Sequence, residues 1–242
     1  MTEQKKIIII GATSGIGRRM AELYFEKGHE VGISGRRMEL LEEIRRQSAQ
    51  KIEYECFDVT KSENISHLES LINKLGGLDI LIISAGTGEP SKDLNWKIDK
   101  KTVDTNVNGF LEIANQAFNY FVKQGYGQLA TISSIAAIRG GSWAPAYNAS
   151  KSFQSNYFEG LAIKAKRLKK NIAVTCIEPG FVRTAMAKGG HKTFWMIPVD
   201  KAARQIIKAI EKRKRKVYIS RRWWLIAKVL KWAPFWLYKR FG

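Results

Sequence analysis

The chain has 242 residues, 45% of them hydrophobic, and its 41 Lys and Arg against 22 Asp and Glu give a formal net charge of +19. This length and apolar content fit one large α/β domain or two small ones and exclude a disordered chain. The charge indicates an anionic partner, such as nucleic acid, an acidic lipid surface or a phosphorylated cofactor. Two cysteines, Cys56 and Cys176, exclude a disulfide framework and form no metal-binding pattern. The four-residue apolar run near the N-terminus is shorter than the ~7–15 residues of a secretory signal, so the sequence predicts a cytoplasmic protein. Because the chain has no Cys or Cys/His cluster, it predicts no structural metal.

Short apolar runs alternate with helical patterns along residues 7–219. The predicted strands are Ile7–Ile10, Val31–Ser34, Ile52–Cys56, Ile80–Ile83, Gln128–Ser133, Ile172–Ile177 and Val217–Ile219. The predicted helices are Ile16–Lys27, Met38–Gln47, Ser62–Leu75, Asp104–Lys123, Tyr147–Leu168 and Lys201–Glu211. The alternation predicts a single α/β domain, a Rossmann-type doubly wound parallel sheet of about seven strands that binds ligands beyond the carboxyl ends of its strands.

Positive charge is concentrated at the C-terminal end. Eleven basic residues and no acidic residue lie in residues 212–242, so this segment carries +11 and the rest of the chain +8. The same segment contains four of the seven tryptophans. We therefore expect two parts: a Rossmann-type body over residues 1–220, and a basic, aromatic helical tail over residues 221–242.

A glycine-rich turn connects the first predicted strand to the first predicted helix. Its spacing, GxxxGxG, lets the backbone approach a pyrophosphate while the helix N-terminus offers free N–H groups. In the first βαβ unit this indicates a dinucleotide site; a tight strand-to-helix turn without a ligand is the alternative. The candidate residues are Gly11, Thr13, Ser14, Gly15, Ile16 and Gly17.

Two arginines follow the second predicted strand. In dinucleotide-binding folds an acidic residue here takes the ribose 2′-hydroxyl, whereas an arginine suits a 2′-phosphate. The chain has Arg36 and Arg37 at this place, and the nearest acidic residues are Glu30 and Glu39. This favours NADP(H) over NAD(H). The alternative is that both arginines are solvated charges in the first turn of the next helix.

A Tyr-x-x-x-Lys pair begins the fifth predicted helix. Tyr147 and Lys151 are four residues apart, so on a helix they share a face and the ammonium lies near the phenol. A nearby positive charge favours the phenolate and lowers the pKa of the tyrosine, so that the phenol can donate a proton to a carbonyl and be restored. Alone, such a pair is more often a surface tyrosine beside a solvated lysine, and its meaning depends on the surrounding motifs.

Seven motifs lie in a fixed order within residues 7–220. They are Gly11-Ala12-Thr13-Ser14-Gly15-Ile16-Gly17, Asp58-Val59, Ser84-Ala85-Gly86, Asn106-Val107-Asn108-Gly109, Ser133-Ser134, Tyr147-Asn148-Ala149-Ser150-Lys151 and Pro179-Gly180-Phe181-Val182-Arg183-Thr184. In this set and order the chain resembles the single-domain main branch of the short-chain dehydrogenase/reductase family. The resemblance implies a nicotinamide-dependent enzyme that acts on CH–OH or C=O groups of a small molecule.

The resemblance also implies a role for each matching residue. Tyr147 would be the general acid/base, and Lys151 would lower its pKa while bonding the nicotinamide ribose. Ser134 would hydrogen-bond the substrate oxygen, and Asn106 would hold a water that links Lys151 to solvent. The competing serine, Ser133, would point to the opposite face of the strand from Ser134. Further cofactor contacts are implied for Asp58, Val59, Ala85, Gly86, Pro179, Gly180, Val182 and Thr184.

Residues 185–197 follow the last motif, where the resemblance implies a segment that closes over the substrate. Gly189-Gly190 offers a hinge. Phe194, Trp195 and Met196 offer an apolar lining, or alternatively they anchor the loop on the core. His191 fits a solvated loop histidine better than an acid/base.

The tail predicts an amphipathic helix that is broken at Pro234. At about 100° per residue, Arg221, Lys228 and Lys231 fall within about 80° of one another and leave a wide Trp, Leu and Ile face. The apolar run is far below the ~20 residues of a membrane span, but such a helix can lie in a membrane interface. The pattern predicts peripheral attachment to the inner face of an anionic membrane and, with it, a lipid-like carbonyl substrate.

Several alternatives stand beside these predictions. The apolar face of the tail can pack on the body or form an oligomer contact, and basic and aromatic residues together can bind nucleic acid. The family often forms dimers or tetramers, and a tail docked at the wrong edge would block such an interface. For the whole protein the alternative is a non-catalytic NADP-binding sensor on the same fold, against which the complete set of four catalytic residue types argues.

Overall fold

The computed structural model describes residues 3–184 and 195–240. Its strands are β1 (Lys6–Ile10), β2 (Glu30–Gly35), β3 (Glu53–Cys56), β4 (Ile80–Ile83), β5 (Tyr126–Ile132), β6 (Asn171–Pro179) and β7 (Lys216–Ile219). They form one sheet in the order β3-β2-β1-β4-β5-β6-β7, and all neighbours are parallel. This is the Rossmann-type doubly wound sheet that the alternation predicts. The strand order reverses between β1 and β4, which opens a crevice at their carboxyl ends.

Helices cover both faces of the sheet. They are α1 (Gly15–Glu26), α2 (Met38–Gln47), α3 (Asn64–Leu75), α4 (Trp96–Val103), α5 (Phe110–Gln124), α6 (Pro145–Arg167), α7 (Val199–Glu211), α8 (Trp223–Trp232) and α9 (Phe235–Tyr238). The isoleucines of β1 explain the two layers. Ile8 and Ile10 pack in the core beneath α3, α5 and α6, whereas Ile7 and Ile9 pack in the core beneath α1, α2 and α7. Since all four are fully buried, β1 needs a helical layer on each side.

The helices differ from the predicted set at two places. The sequence pattern does not predict α4, whose exposed sequence lacks an apolar face; it begins where the Asn95 side chain accepts a hydrogen bond from the Lys97 N–H at 3.0 Å. The long helix predicted at Asp104–Lys123 begins instead with a π-helical turn, Asp104–Gly109, and continues as α5. This turn carries Asn106, so the irregularity lies at a predicted site residue.

The tail forms two helices on either side of Pro234, and α8 packs on the body by one narrow face. Trp223 and Ala227 are its buried residues. The Trp223 ring meets the Phe181 ring edge-on, with 5.5 Å between centroids. This face of α8 therefore packs on the body, as one of the alternatives for the apolar face of the tail predicts. The rest of α8 remains at the surface, where the exposed fraction of Trp232 reaches 81%.

Candidate active site

A cleft of about 490 Å³ lies at the carboxyl ends of the central strands. Eighteen of the predicted site residues line it. They are Gly11, Thr13, Ser14, Gly15, Ile16, Arg36, Arg37, Asp58, Val59, Ala85, Gly86, Ser134, Tyr147, Lys151, Pro179, Gly180, Val182 and Thr184. Gly17 and Asn106 stand outside the lining. Residues from six of the seven motifs therefore meet in one cavity, and Asn106 of the seventh lies behind its wall.

The glycine turn occupies one end of the cleft. Gly11 has φ +85°, and a Cβ there would lie 2.5 Å from the Ala85 backbone nitrogen, so no larger residue fits. A Cβ on Gly17 would lie 2.3 Å from the Gly11 carbonyl oxygen, which explains why Gly17 supports the turn without reaching the cleft. Gly15, with φ +60°, is the first residue of α1 and lines the cleft, so the helix N-terminus with its free N–H groups lies at this end of it.

The two arginines have different partners. Arg37 donates from Nη2 to the Thr13 hydroxyl at 2.7 Å and to the Ser14 hydroxyl at 3.0 Å, so its guanidinium lies over the glycine turn. Arg36 is exposed, and its Nη1 lies 3.5 Å from the Asp58 carboxylate. Burial opposes the charge of Asp58, but hydrogen bonds from Thr60 and the Arg36 charge hold its pKa below the usual value. Both guanidinium groups therefore line the end of the cleft beside β2.

A serine and a tyrosine occupy the other end of the cleft. The Ser134 hydroxyl is hydrogen-bonded to the Tyr147 phenol. Ser133 is buried, and its hydroxyl donates to the Lys151 carbonyl oxygen at 2.8 Å, away from the phenol. Burial raises the pKa of Tyr147, and the hydrogen bond with Ser134 lowers it in part. The net direction is thus opposite to the lowering that the spacing predicts, because desolvation of the phenolate dominates.

Lys151 lies one turn further along α6, inside the protein. Its ammonium donates to the Ile132 carbonyl oxygen at 3.0 Å and to Gln154 Oε1 at 3.0 Å. It stands 5.8 Å from the centroid of the Tyr147 ring. Burial lowers the pKa of Lys151 to about 8, against a small raising effect of Cys176. The lysine is therefore poised to change its charge near neutral pH.

Asn106 is held behind the lysine by its own hydrogen bonds. Its side-chain oxygen accepts from the Thr87 N–H at 2.9 Å, and its amide donates to the Thr87 carbonyl at 2.7 Å and to the Ser150 hydroxyl at 2.9 Å. Its main-chain oxygen accepts from Gln154 Nε2 at 2.9 Å. The water that the resemblance implies at Asn106 stays a prediction. Gln154, which sequence reasoning missed, lies at i+3 from Lys151, and this spacing on one helix was the signal for it.

The cleft has further lining residues that were not singled out as site residues. Gly88 is the most informative, because a Cβ there would lie 2.4 Å from the Tyr147 ring, so the backbone itself forms one wall beside the phenol. The others are Ser34, Gly35, Phe57, Ser84, Thr105, Ile132, Ser133, Ile135, Ala136 and Phe181. Six of these ten lie in the last two positions of a strand or directly after one, and this location marks the crevice in a fold of this type.

The predicted substrate-closing segment is described only at its C-terminal end, residues 195–197. Gly189-Gly190, His191 and Phe194 lie outside the described residues. Trp195 contacts the tail, with its ring edge-on to Trp223 at 6.4 Å between centroids. This contact favours the anchoring alternative for Trp195. Among the described residues, no group of three or more His, Cys, Asp or Glu is placed to hold a metal ion. None of the helices in this part of the chain combines the length and the apolar character that a membrane span requires.

A glycine-rich turn at the switch point of an open parallel sheet defines a dinucleotide-binding α/β protein. The family model for short chain dehydrogenase matches residues 5–194. An uncharacterized oxidoreductase of Mycobacterium tuberculosis is 29% identical over 240 residues, which cover 96% of this chain and 91% of the relative. One of Staphylococcus aureus is 33% identical over 186 residues, 75% of this chain and 80% of the relative. The chain belongs to the short-chain dehydrogenase family, and by this membership it is an oxidoreductase.

Solved structures show the same fold. The 3-ketoacyl-(acyl-carrier-protein) reductase of Brucella melitensis, complexed with NADH, gives a TM-score of 0.80 at 21% identity over 91% of this chain and 99% of that chain. ElxO with NADP bound gives a TM-score of 0.78 at 20% identity over 90% and 97%. At this level of identity the similarity extends to the architecture only.

Proposed function

We propose that this chain is an NADP(H)-dependent oxidoreductase that reduces a ketone or aldehyde, or oxidises the corresponding alcohol, by hydride transfer. One observation carries the proposal: a single cleft joins the glycine turn and two arginines at one end to Ser134, Tyr147 and Lys151 at the other. In this arrangement the phosphates of a dinucleotide would lie at the glycine turn and the arginines, and its nicotinamide would lie beside the proton donor Tyr147.

The residues present fit such a cofactor. Gly11 leaves no space for a side chain and exposes its backbone, and the N-terminus of α1 adds free N–H groups where a pyrophosphate would lie. Arg37 and Arg36 would hold the 2′-phosphate, since guanidinium groups bind phosphate through charge-assisted hydrogen bonds. Gly86 would let the cofactor approach Lys151, because even a Cβ there would lie 3.2 Å from the lysine Nζ.

The side chains of this chain manage the proton of the reaction. When bound, NADPH supplies a hydride to a carbonyl carbon. The Ser134 hydroxyl and the Tyr147 phenol then stabilise the charge that develops on the carbonyl oxygen, and the phenol donates its proton to that oxygen. The raised pKa of Tyr147 keeps the phenol protonated at neutral pH, as a proton donor requires. The Lys151 ammonium stabilises the phenolate left behind until it is protonated again.

Cofactor preference tests the first half of the proposal. Wild-type kcat/KM is measured with NADPH and with NADH, and we expect the enzyme to prefer NADPH. Arg37→Ala removes charge-assisted hydrogen bonds worth about 1.5–3 kcal/mol, so it should lower kcat/KM for NADPH roughly 10- to 150-fold and leave NADH nearly unchanged. Arg46→Ala, in the last turn of α2, is the matched control. A wild-type preference for NADH would overturn the assignment.

Turnover of a ketone and aldehyde panel tests the second half. Tyr147→Phe removes the proton donor and keeps the ring, so it should abolish turnover while NADPH binding, followed by nicotinamide fluorescence, persists. The alternative, a non-catalytic NADP-binding sensor, predicts cofactor binding by the wild type and no turnover across the panel. The two outcomes are mutually exclusive.

We further propose that the tail attaches the enzyme to an anionic membrane surface. Large apolar side chains with exposed fractions of 37–81% follow one another along α8 and α9. They are Trp224, Leu225, Val229, Trp232, Phe235, Trp236 and Leu237. Exposed basic residues alternate with them, and residues 212–242 contain no acidic residue. Exposed tryptophans among cations suit the interface of an anionic bilayer better than water or an acidic protein surface.

The position of the tail supports an apolar, lipid-like carbonyl substrate. Phe181 lines the cleft, and its ring also contacts Trp223 of the tail. A tail that lies in a membrane interface would therefore hold this end of the cleft near the bilayer. Substrate would then pass from the lipid to the Tyr147 phenol with little exposure to water.

Vesicle co-sedimentation tests the attachment. Vesicles of phosphatidylglycerol and phosphatidylcholine are compared with phosphatidylcholine alone. We expect the wild type to bind only the anionic vesicles and the double variant Trp232→Ser, Trp236→Ser to lose binding. Trp96→Ser is the matched control, because Trp96 is 73% exposed on α4, outside the tail. Equal binding by all three proteins would refute the proposal, and so would tail-dependent binding of RNA without binding of vesicles.

A further inference from the structure

Gln154 forms a bridge between two predicted catalytic residues. It is fully buried on α6, three residues after Lys151. Its Oε1 accepts from the Lys151 ammonium at 3.0 Å, and its Nε2 donates to the Asn106 main-chain oxygen at 2.9 Å. The orientation of the Gln154 amide group is fixed by these two hydrogen bonds together. Because a main-chain oxygen can only accept, the amide nitrogen must face Asn106, and the amide oxygen must then face the lysine.

The groups around Lys151 leave Gln154 as a principal partner of its charge. In the described part of the chain, the ammonium donates to two neutral oxygens, those of Ile132 and Gln154, and forms no ion pair. Glu178 on β6 is committed elsewhere, because Lys216 of β7 lies 2.7 Å from its carboxylate and Ser155 donates to it at 2.8 Å.

Other titratable groups near Lys151 do not hold it by hydrogen bonds. Cys176 on β6 has its pKa raised by burial to about 11, so its thiol is neutral at physiological pH. Tyr147 lies on the same helix, with its ring centroid 5.8 Å from the ammonium. Burial lowers the pKa of the lysine, and each hydrogen bond that the ammonium donates offsets part of this lowering. A buried ammonium with few acceptors depends strongly on each of them.

We propose that Gln154 is a positioning residue that keeps Lys151 charged and aimed at the phenol of Tyr147. The inference rests on the proposed function for its catalytic meaning, but the geometry exists without it. The carboxamide contacts both the Lys151 ammonium and the Asn106 main-chain oxygen. In this chain, therefore, a side chain links the π-helical turn at Asn106 to the lysine.

Loss of the bridge should change the titration of Lys151 in a defined direction. Without Oε1 the Lys151 ammonium loses a charge-assisted hydrogen bond, so its pKa falls further and less of it is charged at neutral pH. The phenolate that Tyr147 leaves after proton donation then has a neutral neighbour more often, which slows the reaction near neutral pH. A loss of one such bond corresponds to a change of about one pH unit.

The test is a titration that needs no turnover. Gln154→Met keeps the volume and removes both hydrogen bonds. In proteins labelled with carbon-13 at the lysine Cε, NMR chemical shifts are followed against pH, and the signal missing from the Lys151→Met counterpart identifies Lys151. Gln128→Met is the matched control, because Gln128 is a buried glutamine of β5. Gln154→Asn, which is too short to span both partners, repeats the test if the methionine variant does not fold.

The expected result is a pKa of Lys151 about one pH unit lower in Gln154→Met than in the wild type and unchanged in Gln128→Met. With a substrate from the carbonyl panel, kcat at pH 8 should fall roughly fivefold, because the charged fraction of Lys151 falls from about a half to about a tenth, while KM for NADPH stays within about twofold. Identical titrations of the wild type and Gln154→Met overturn the inference, as does an equal shift in Gln128→Met. A wild type without turnover overturns the proposed function alone, since the titration still decides the role of Gln154.

Discussion

Two adjacent tryptophans at the start of α8 have opposite surroundings. Trp223 is 5% exposed, and its ring lies so close to Gly180 that a Cβ there would be 2.0 Å from it. Trp224 is 47% exposed, and the Lys228 ammonium lies 4.0 Å from its ring centroid. Trp223→Ala therefore removes the buried ring that packs α8 on the body, beside the hydrogen bonds from Arg139 to carbonyl groups of the tail, whereas Trp224→Ala removes a surface ring. We expect only the first substitution to release the tail.

The structure sets the size of this effect. Truncation of a buried tryptophan to alanine costs about 3–5 kcal/mol. The indole N–H of Trp223 is buried without a hydrogen-bond partner in the described residues, and removal of this group returns about 1 kcal/mol. The net loss of about 2–4 kcal/mol should raise the population of undocked tail roughly 30- to 700-fold, because each 1.4 kcal/mol is a factor of ten.

Native-state proteolysis measures this population. Cleavage by trypsin within α8, after Lys228 or Lys231, requires the helix to open, and mass spectrometry identifies the released C-terminal peptides. When opening is fast, the cleavage rate follows the open population. We expect cleavage in Trp223→Ala to accelerate by the factor above, and cleavage in Trp224→Ala to match the wild type. Equal acceleration in both variants, or none in Trp223→Ala, would refute the assignment of the docked face.

Two further predictions concern the cleft. Ser134→Ala should lower kcat at least about 100-fold, because the Ser134 hydroxyl bonds the phenol. Ser133→Ala should keep activity and lower the free energy of unfolding by about 1 kcal/mol, because only its hydrogen bond to the Lys151 carbonyl is lost. Equal kcat values in the two variants would contradict this. Burial lowers the pKa of Lys151 from 10.5 to about 8, so between these pH values the unfolded chain binds more protons than the folded one, and folded-state stability rises with pH. Urea unfolding should therefore show the wild type gaining about 3 kcal/mol over Lys151→Met from pH 8 to pH 10.5, and a constant difference would show that the lysine is not desolvated.

Much of the fold could be predicted because its signals are local. The four consecutive isoleucines of β1 require burial on both faces, and a strand with two buried faces belongs to a parallel sheet between helical layers. The helix α4 could not be predicted in this way. It is mostly exposed, and its start depends on the Asn95 cap, which gives no periodic apolar signal.

The candidate site likewise has some features that the sequence predicts and others that depend on the fold. The spacing of Tyr147 and Lys151 placed both on one helix face, and the structure has both in the cleft. The direction of the pKa of Tyr147 could not be obtained from spacing, because it depends on how many neighbours exclude water from the phenol. The role of Gln154 could not be predicted for a related reason: a glutamine within a helix is an ordinary residue until both of its hydrogen-bond partners are known.

The sheet, the glycine turn with its arginines, and the basic, aromatic character of the tail follow from the amino-acid sequence, since each depends on residues near one another in the chain. The folded molecule alone shows which of the adjacent tryptophans docks, that Gln154 joins Lys151 to Asn106, and which side of α8 remains exposed. These outcomes depend on contacts between segments that are distant in sequence. Trp223 is buried because Gly180, 43 positions earlier, leaves space for its ring, and no local pattern encodes that space.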